Sequence, residues 1–195
     1  MSGDETYRTF IAIELPLEIR PRITGHIDQL RSAVPQVRAS WSREDNLHLT
    51  LKFLGDVPIS RIPALSEACS IAIKSIASFS LVVKGCGKFP PHGKPKVLWT
   101  GIDEAGTDTS RLLQLHAAIE DSCAANGFAR EARPYHPHLT IARIREAKDT
   151  RALAERHLQT DFAPQTFTVS EVVVFRSQLS STGSKHFPLS RHRLD

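Results

Sequence analysis

The chain has 195 residues, of which 41% are hydrophobic and 24% are charged, and its formal net charge is +4. This composition is typical of a soluble globular protein, and no apolar run approaches the roughly 20 residues of a membrane span. We therefore exclude a membrane protein, and the mild positive charge does no more than favour anionic partners.

In the first half of the chain, the apolar pattern predicts strands alternating with helices. Short β-rich apolar runs bounded by turn residues predict strands, and apolar residues three or four positions apart predict helices. The predicted strands cover residues 9–13, 37–41, 47–54, 79–83 and 96–101, the predicted helices cover 17–33 and 59–76, and a loop rich in Gly and Pro covers 85–95.

The second half repeats this alternation. Its clearest helix covers residues 109–126 and is followed by Gly127, where a C-terminal cap belongs. The other predicted elements are strands at 139–144 and 167–176, a helix at 149–158 and an edge strand at 186–194. Many strands are joined by loops too short for crossover helices, which favours an α+β fold with antiparallel sheets in two lobes. No linker separates the halves, so residues 1–195 are predicted to form one domain.

One tripeptide occurs twice, as His48-Leu49-Thr50 and, 90 residues later, as His138-Leu139-Thr140. Composition predicts roughly 0.06 copies by chance, so the duplication calls for an explanation. Each copy continues with a branched aliphatic residue, Leu51 or Ile141. On a strand, the His and the Thr share one face while the flanking aliphatic residues point into the core. We predict that each half of the chain supplies an imidazole beside a hydroxyl to one shared site.

Two imidazoles and two hydroxyls suit the hydrolysis of a phosphodiester. A neutral imidazole accepts a proton from the attacking water, and a protonated imidazole donates a proton to the leaving oxygen. The threonine hydroxyls hold the non-bridging phosphate oxygens and stabilise the charge that develops there. This scheme needs no metal and no other cofactor.

Other interpretations fit the same residues. A single His of this kind on an apolar strand is commonly a hydrogen-bonded structural residue, although the duplication argues against that role. A metal site would need a third ligand, and the extra candidate is His136, two residues before His138. A nucleotide- or RNA-binding module could also use both imidazoles without turnover.

Several segments around the two motifs match the pattern of a known family. They are residues 8–16 (RTFIAIELP), Trp41 with 46–55 (NLHLTLKFLG), 85–90 with 97–99, 137–143 (PHLTIAR) and 175–177. These segments cover nearly the whole chain. They resemble the RNA 2′,3′-cyclic phosphodiesterases, also called the 2′-5′ RNA ligase-like or LigT-like family, within the two-histidine phosphoesterase superfamily.

The resemblance implies a bilobal fold around a central cleft. It implies an enzyme that hydrolyses RNA 2′,3′-cyclic phosphate ends to 2′-phosphomonoesters, with a related reverse activity that joins RNA ends through a 2′-5′ linkage. It further implies that His48 is the proton donor to the departing 3′ oxygen and that His138 is the proton acceptor that activates water. Thr50 and Thr140 would bind the phosphate. The local sequence does not by itself distinguish the two imidazoles.

Two basic residues are candidate substrate ligands. Arg143, three residues after Thr140, matches the family pattern for a phosphate ligand, but strict alternation puts it on the core side unless the strand bulges or ends. By the same alternation, Lys52 shares the face of the first motif's His and Thr and adds positive potential to the cleft. Each is otherwise a solvated surface residue. Candidate stacking surfaces for a base are the aromatic residues Trp41, Phe89, Trp99 and Tyr135.

The predicted partners are RNA ends or small cyclic nucleotides, and the alternative substrates are 2′-5′ oligonucleotides or another cyclic phosphate. No GxxxxGK[ST] loop occurs in the sequence, so an ATP-driven reaction is not expected. Residues 1–5 lack a secretory signal. The cysteines Cys69, Cys86 and Cys123 are odd in number and show no CxxC spacing. We therefore expect a cytoplasmic monomer with reduced, mostly buried thiols.

Overall fold

A computed structural model describes residues 5–105, 110–145, 150–180 and 183–195. The predicted first residues of two helices, Thr109 and Asp149, lie outside these ranges. The elements in chain order are β1 (Thr6–Glu14), α1 (Arg20–Ala33), β2 (Ala39–Trp41), β3 (His48–Pro58), α2 (Ile62–Ile73), β4 (Phe79–Phe89), β5 (Val97–Glu104), α3 (Arg111–Ala125), β6 (His138–Ile144), α4 (Thr150–Leu158), β7 (Gln165–Val169), β8 (Glu171–Ser180) and β9 (Gly183–Arg193). Short 3-10 turns at Glu44–Asn46 and Ile59–Arg61 precede β3 and α2.

The strands form two antiparallel sheets. The first sheet has the order β3-β1-β8-β9, and the second has the order β2-β6-β5-β4-β7. Helices α2 and α3 pack together on the first sheet, whereas α1 and α4 pack together on the second. We call each sheet with its two helices the first lobe and the second lobe. The prediction of an α+β fold with antiparallel sheets in two lobes is confirmed.

The two lobes do not correspond to the two halves of the chain. Strand β1 pairs with β3 on one side and with β8 on the other, so the C-terminal strands belong to the first lobe. Strand β2 comes from the first half but pairs with β6 in the second lobe. One cluster of buried side chains contains residues of both sheets, among them Ile11 and Leu49 of the first and Leu98 and Leu139 of the second.

Two predicted elements are wrong, and one is confirmed at the edge of a sheet. The strand predicted at 167–176 is two strands, β7 and β8, which lie in different sheets because the chain crosses between the lobes at Ser170. The loop predicted at 85–95 is extended as far as Phe89. Gly85, at a φ of 70°, forms a bulge between Lys84 and Cys86 without ending the pairing of β4. The predicted edge strand near the C-terminus is β9.

The remaining sequence expectations concern the helix cap and the cysteines. Gly127 follows α3 at a φ of 74°, as predicted for a C-terminal cap. Cys69 and Cys123 are free and buried, and Cys86 is free and half-buried, as expected for reduced thiols. No described helix combines the length and the apolar character that crossing a membrane requires.

Candidate active site

The two His-Leu-Thr motifs open strands β3 and β6, which belong to different sheets but contact each other. From the His onwards, the two strands show the same order of exposure over seven residues: half-buried, buried, half-buried, buried, buried, exposed and half-buried. The aliphatic residues of the motifs are in the core, as predicted; they are Leu49, Leu51, Leu139 and Ile141. The two lobes therefore present matching His and Thr side chains where they meet.

A bulge follows the Thr in both strands and decides where the next side chains point. In β3 the register against β1 shifts between Thr50 and Lys52, and in β6 the register against β5 shifts between Thr140 and Ala142. The extra residue reverses the alternation of faces. The side chain three positions after each Thr therefore returns to the exposed face, and in β6 this residue is Arg143. The strand bulge that Arg143 needs in order to leave the core side is therefore present.

The same bulge makes the prediction for Lys52 wrong. Its side chain turns into the first lobe, where Nζ lies 2.8 Å from both carboxylate oxygens of Glu120 and 2.7 Å from the carbonyl oxygen of Ala129. Only 1% of the Lys52 side chain is exposed. Phe53, which strict alternation from Leu51 would point into the core, is exposed instead. Lys52 is thus one member of a buried ion pair and adds no free positive charge to the cleft.

Both motif histidines are held by the same backbone contact. Nδ1 of His48 donates a hydrogen bond to the carbonyl oxygen of Asn46 at 2.7 Å, and Nδ1 of His138 donates to the carbonyl oxygen of His136 at 2.7 Å. A carbonyl oxygen can only accept, so each Nδ1 carries a hydrogen, and Nε2 has the lone pair whenever the ring is neutral. Each ring is thereby oriented to accept or donate a proton through Nε2.

In the first lobe, His48 packs on a pair of aromatic rings. Phe10 and Phe175 stack with ring centroids 5.2 Å apart, and the His48 ring lies 4.8 Å from Phe10. His186 of β9 covers the same rings and meets His48 edge-on at 5.0 Å. Because these rings fill the space around His48, its imidazole is restricted to few orientations.

The second lobe repeats this arrangement around His138. Phe89 and Trp99 have ring centroids 5.3 Å apart, and His138 lies edge-on to Phe89 at 5.1 Å. His136 takes the place that His186 has in the first lobe, 4.9 Å from Trp99. A side chain at Gly87 would overlap the Trp99 indole, so a glycine is required where this ring lies on the strand.

Burial and positive neighbours keep the pKa of both motif histidines low. Burial is the main cause that lowers the pKa of His48 from 6.5 to about 4, and positive charge on His186, Arg143 and His138 acts in the same direction. Burial also lowers the pKa of His138, with His136 and Arg143 adding to the effect. The effect of Arg143 and His138 on His48 agrees with the contact between β3 and β6, which brings the two motifs to the same region.

Sequence reasoning found part of the aromatic surface and missed one histidine. Phe89 and Trp99 contact His138, and Trp41 packs against the core. Tyr135 stacks on His116 with centroids 3.9 Å apart, and its hydroxyl donates to the carbonyl oxygen of Thr50 at 3.3 Å. Their role as stacking surfaces for a base stays a prediction. His186 was missed, because it belongs to no motif and reaches His48 only through the pairing of β9 with β8. His136 is adjacent to its motif in the sequence, but its equivalence to His186 in the first lobe is visible only in three dimensions.

The arrangement is suited to proton transfer at an anionic group. Two Nε2 atoms can exchange protons, two half-buried threonine hydroxyls can donate hydrogen bonds, and the exposed guanidinium of Arg143 can supply positive charge.

Comparison with known proteins agrees with this site. Residues 16–180 match the 2′-5′ RNA ligase superfamily. The chain is 33% identical over 177 residues to a protein of Thermotoga maritima named RNA 2′,3′-cyclic phosphodiesterase. The matched region covers 90% of this chain and 89% of the relative. A protein of the same name from Methanothermobacter thermautotrophicus is 30% identical over 189 residues, or 96% of this chain and 98% of the relative.

A solved structure shows the same fold. The crystal structure of E. coli LigT complexed with 3′-AMP has a TM-score of 0.73 and 28% sequence identity, covering 97% of this chain and 99% of that chain. The fold is therefore the bilobal α+β fold of the two-histidine phosphoesterases. The chain belongs to the 2′-5′ RNA ligase superfamily.

Proposed function

We propose that this protein hydrolyses the 2′,3′-cyclic phosphate at RNA ends to a 2′-phosphomonoester. The observation that carries the proposal is the pair of His-Leu-Thr strands, in which both Nδ1 atoms donate to a carbonyl and both Nε2 atoms are available for chemistry beside Arg143. Relatives named RNA 2′,3′-cyclic phosphodiesterase, with 28% to 33% identity over most of the chain, support this activity. The 3′-AMP complex of E. coli LigT supports an RNA end or a small nucleotide as the ligand.

In the proposed reaction, water attacks the phosphorus atom while the bond from phosphorus to the 3′ oxygen breaks. Nε2 of His138 accepts the proton from water, and Nε2 of His48 donates a proton to the departing 3′ oxygen. This assignment of donor and acceptor follows the family resemblance. At the end of the step His138 is protonated and His48 is neutral, so proton exchange with solvent restores the starting state.

The phosphate is held by the remaining groups of the site. The hydroxyls of Thr50 and Thr140 donate hydrogen bonds to non-bridging oxygens, and the Arg143 guanidinium supplies charge-assisted hydrogen bonds. The half-burial of both threonines and the exposure of Arg143 support these roles. Phe89 and Trp99 offer an aromatic surface on which the adjoining base stacks.

Every step of this mechanism uses side chains of the protein and water, so it calls for neither a metal ion nor ATP. An RNA 5′-hydroxyl that attacks in place of water would form a 2′-5′ linkage with the same acid and base. Membership of the 2′-5′ RNA ligase superfamily supports this ligation as a second activity of the site.

We further propose that the 195 residues act as one domain and as a cytoplasmic monomer. The cluster of buried side chains that joins both sheets supports a single domain. Three free cysteines are typical of a protein from a reducing compartment. Sedimentation equilibrium of the purified protein tests the monomer, and a mass of two chains would exclude it.

The test of the activity is ³¹P NMR of a 2′,3′-cyclic nucleotide and of a short RNA with a cyclic end, each incubated with the protein in EDTA. The expected product is the 2′-phosphate alone. His48→Ala and His138→Ala should each lower the rate by about 10²–10⁴-fold. His192→Ala is the matched control, because His192 bonds Ser70 of α2, away from the cleft.

Four outcomes would change the proposal. A 3′-phosphate product would reverse the assignment of the leaving oxygen. Wild-type rates in both His→Ala variants would end the acid-base mechanism. Binding without turnover would favour a nucleotide- or RNA-binding module, and cleavage of 2′-5′ oligonucleotides alone would change the substrate.

A further inference from the structure

A second cluster of histidine and cysteine side chains lies in the second lobe, apart from the phosphoesterase site. It contains His26 of α1, Cys86 of β4 and His157 of α4. Both imidazoles are buried, with 5% of His26 and none of His157 exposed, and Cys86 is half-buried. None of these residues belongs to a His-Leu-Thr motif, and the proposed hydrolysis does not use them.

The three donor atoms form a compact triangle. Nε2 of His26 lies 2.9 Å from Nδ1 of His157 and 4.0 Å from Sγ of Cys86, and all three atoms lie within 4.8 Å of one another. A point equally distant from them is about 2.4 Å from each, even at the widest spacing. Zinc binds imidazole nitrogen at about 2.0–2.1 Å and thiolate sulfur at about 2.3 Å. A tetrahedral arrangement at these lengths places the donor atoms about 3.3–3.6 Å apart. On metal binding the two nitrogens would move apart by roughly 0.4 Å, and the sulfur would move towards them by roughly 0.5–1.2 Å.

The imidazole of His157 is already set for this role. Its Nε2 donates hydrogen bonds to the carbonyl oxygens of Gly87 at 3.1 Å and of Trp99 at 3.0 Å. Nε2 therefore carries the hydrogen, and the lone pair of the neutral ring is on Nδ1, which faces His26 and Cys86. A hydrogen bond from the far nitrogen of a metal-binding histidine to a backbone carbonyl is the usual arrangement that orients the ring.

The donor set selects the metal. Two imidazole nitrogens and one sulfur suit zinc, whereas magnesium and calcium require oxygen ligands. We propose that His26, Cys86 and His157 bind one Zn²⁺ in a tetrahedral site completed by a water molecule.

The position of the site gives it a structural role. It would join α1 and α4 to β4 directly behind the strand pair that carries Trp99. On the other side of that pair, the Trp99 ring forms the wall of the cleft next to His136. The zinc ion would therefore hold the wall of the cleft in place and take no part in the transfer of protons at the phosphate. Without metal, Nε2 of His26 donates its hydrogen to Nδ1 of His157. On binding, Cys86 loses its thiol proton to solvent, and His26 changes to the neutral tautomer that carries its hydrogen on Nδ1, through proton exchange with solvent.

Metal titration of the full chain tests the proposal. The protein is stripped with EDTA, dialysed, and titrated with Zn²⁺ by calorimetry and with Co²⁺ by absorption spectroscopy. We expect one equivalent per chain with a Kd at or below about 1 μM, and a thiolate-to-cobalt charge-transfer band in the near ultraviolet. Zinc at about 100 times its Kd should raise the Tm by roughly 5–10 °C.

Variants locate the ligands. Cys86→Ala should abolish the charge-transfer band and weaken binding by at least about 100-fold. Cys123→Ala is the matched control, since this thiol lies in α3 of the first lobe and should leave both readouts unchanged. If Cys86→Ala does not fold, His26→Gln provides the same comparison. A lack of stoichiometric binding, or an unchanged cobalt band in Cys86→Ala and in His26→Gln, would overturn the proposal. The hydrolysis assay in EDTA is independent of either result.

Discussion

The pH dependence of kcat/KM should differ from that of kcat, because substrate binding changes the charge around His48. kcat/KM reports the ionisation of the free enzyme. In the free protein, burial and positive neighbours lower the pKa of His48 to about 4 and bring that of His138 below 6.5. At pH 7 roughly one His48 ring in a thousand carries the proton that a donor needs. We expect kcat/KM to be maximal below pH 6.5. On the alkaline side of the maximum it should fall about tenfold per pH unit.

Bound substrate reverses much of this effect. The cyclic phosphate carries one negative charge, and at about 4 Å in surroundings of effective dielectric constant 20 it attracts a protonated imidazole by roughly 4 kcal/mol. A free energy of this size raises a pKa by about 3. The pKa of His48 in the complex should therefore rise to about 7, and kcat should be maximal near neutral pH.

Steady-state kinetics with a 2′,3′-cyclic nucleotide, at constant ionic strength between about pH 4.5 and 8.5, measures both profiles. His192→Ala should reproduce the wild-type profiles. A kcat/KM that is flat from about pH 5 to 8, or that follows the same curve as kcat, would refute the reasoning.

Three further variants test individual side chains. Lys52→Met should lower the free energy of unfolding by about 3–5 kcal/mol, because it leaves the Glu120 carboxylate buried without its partner. The activity of the folded Lys52→Met variant should be nearly unchanged. Adding Glu120→Leu to this variant should restore the free energy of unfolding, measured by urea denaturation. A large loss of kcat/KM in Lys52→Met would instead indicate that Lys52 acts in the cleft. Arg143→Gln should raise KM by roughly 10–100-fold and raise the pKa of His48 in NMR titrations, so an unchanged KM would exclude Arg143 as a phosphate ligand. His186→Phe should move the falling limb of kcat/KM to higher pH while activity persists, because it removes the positive charge that lowers the pKa of His48; an unmoved limb would exclude this electrostatic effect.

The elements of the fold were largely predictable, because apolar periodicity is a local property. Predictions failed where consecutive segments of the chain pair with strands of different sheets. The apolar run through 167–176 is continuous, yet its two parts bury their side chains in different sheets on either side of Ser170. A strand that switches sheets has the same local pattern as one that does not. The bulge at Gly85 was missed for a similar reason, since glycine signals a loop as readily as an interruption within a strand.

The chemistry expected of the site could be derived from the sequence, because His and Thr two positions apart on a strand share a face whatever surrounds them. Which basic side chain accompanies them depends on the fold. Arg143 and Lys52 were both candidates, and a bulge after each Thr places the first on the exposed face and the second in a buried ion pair. A bulge depends on the register against the neighbouring strand, and the contact of His186 with His48 depends on the pairing of strands from opposite ends of the chain. Such long-range pairings have no local signal in the sequence.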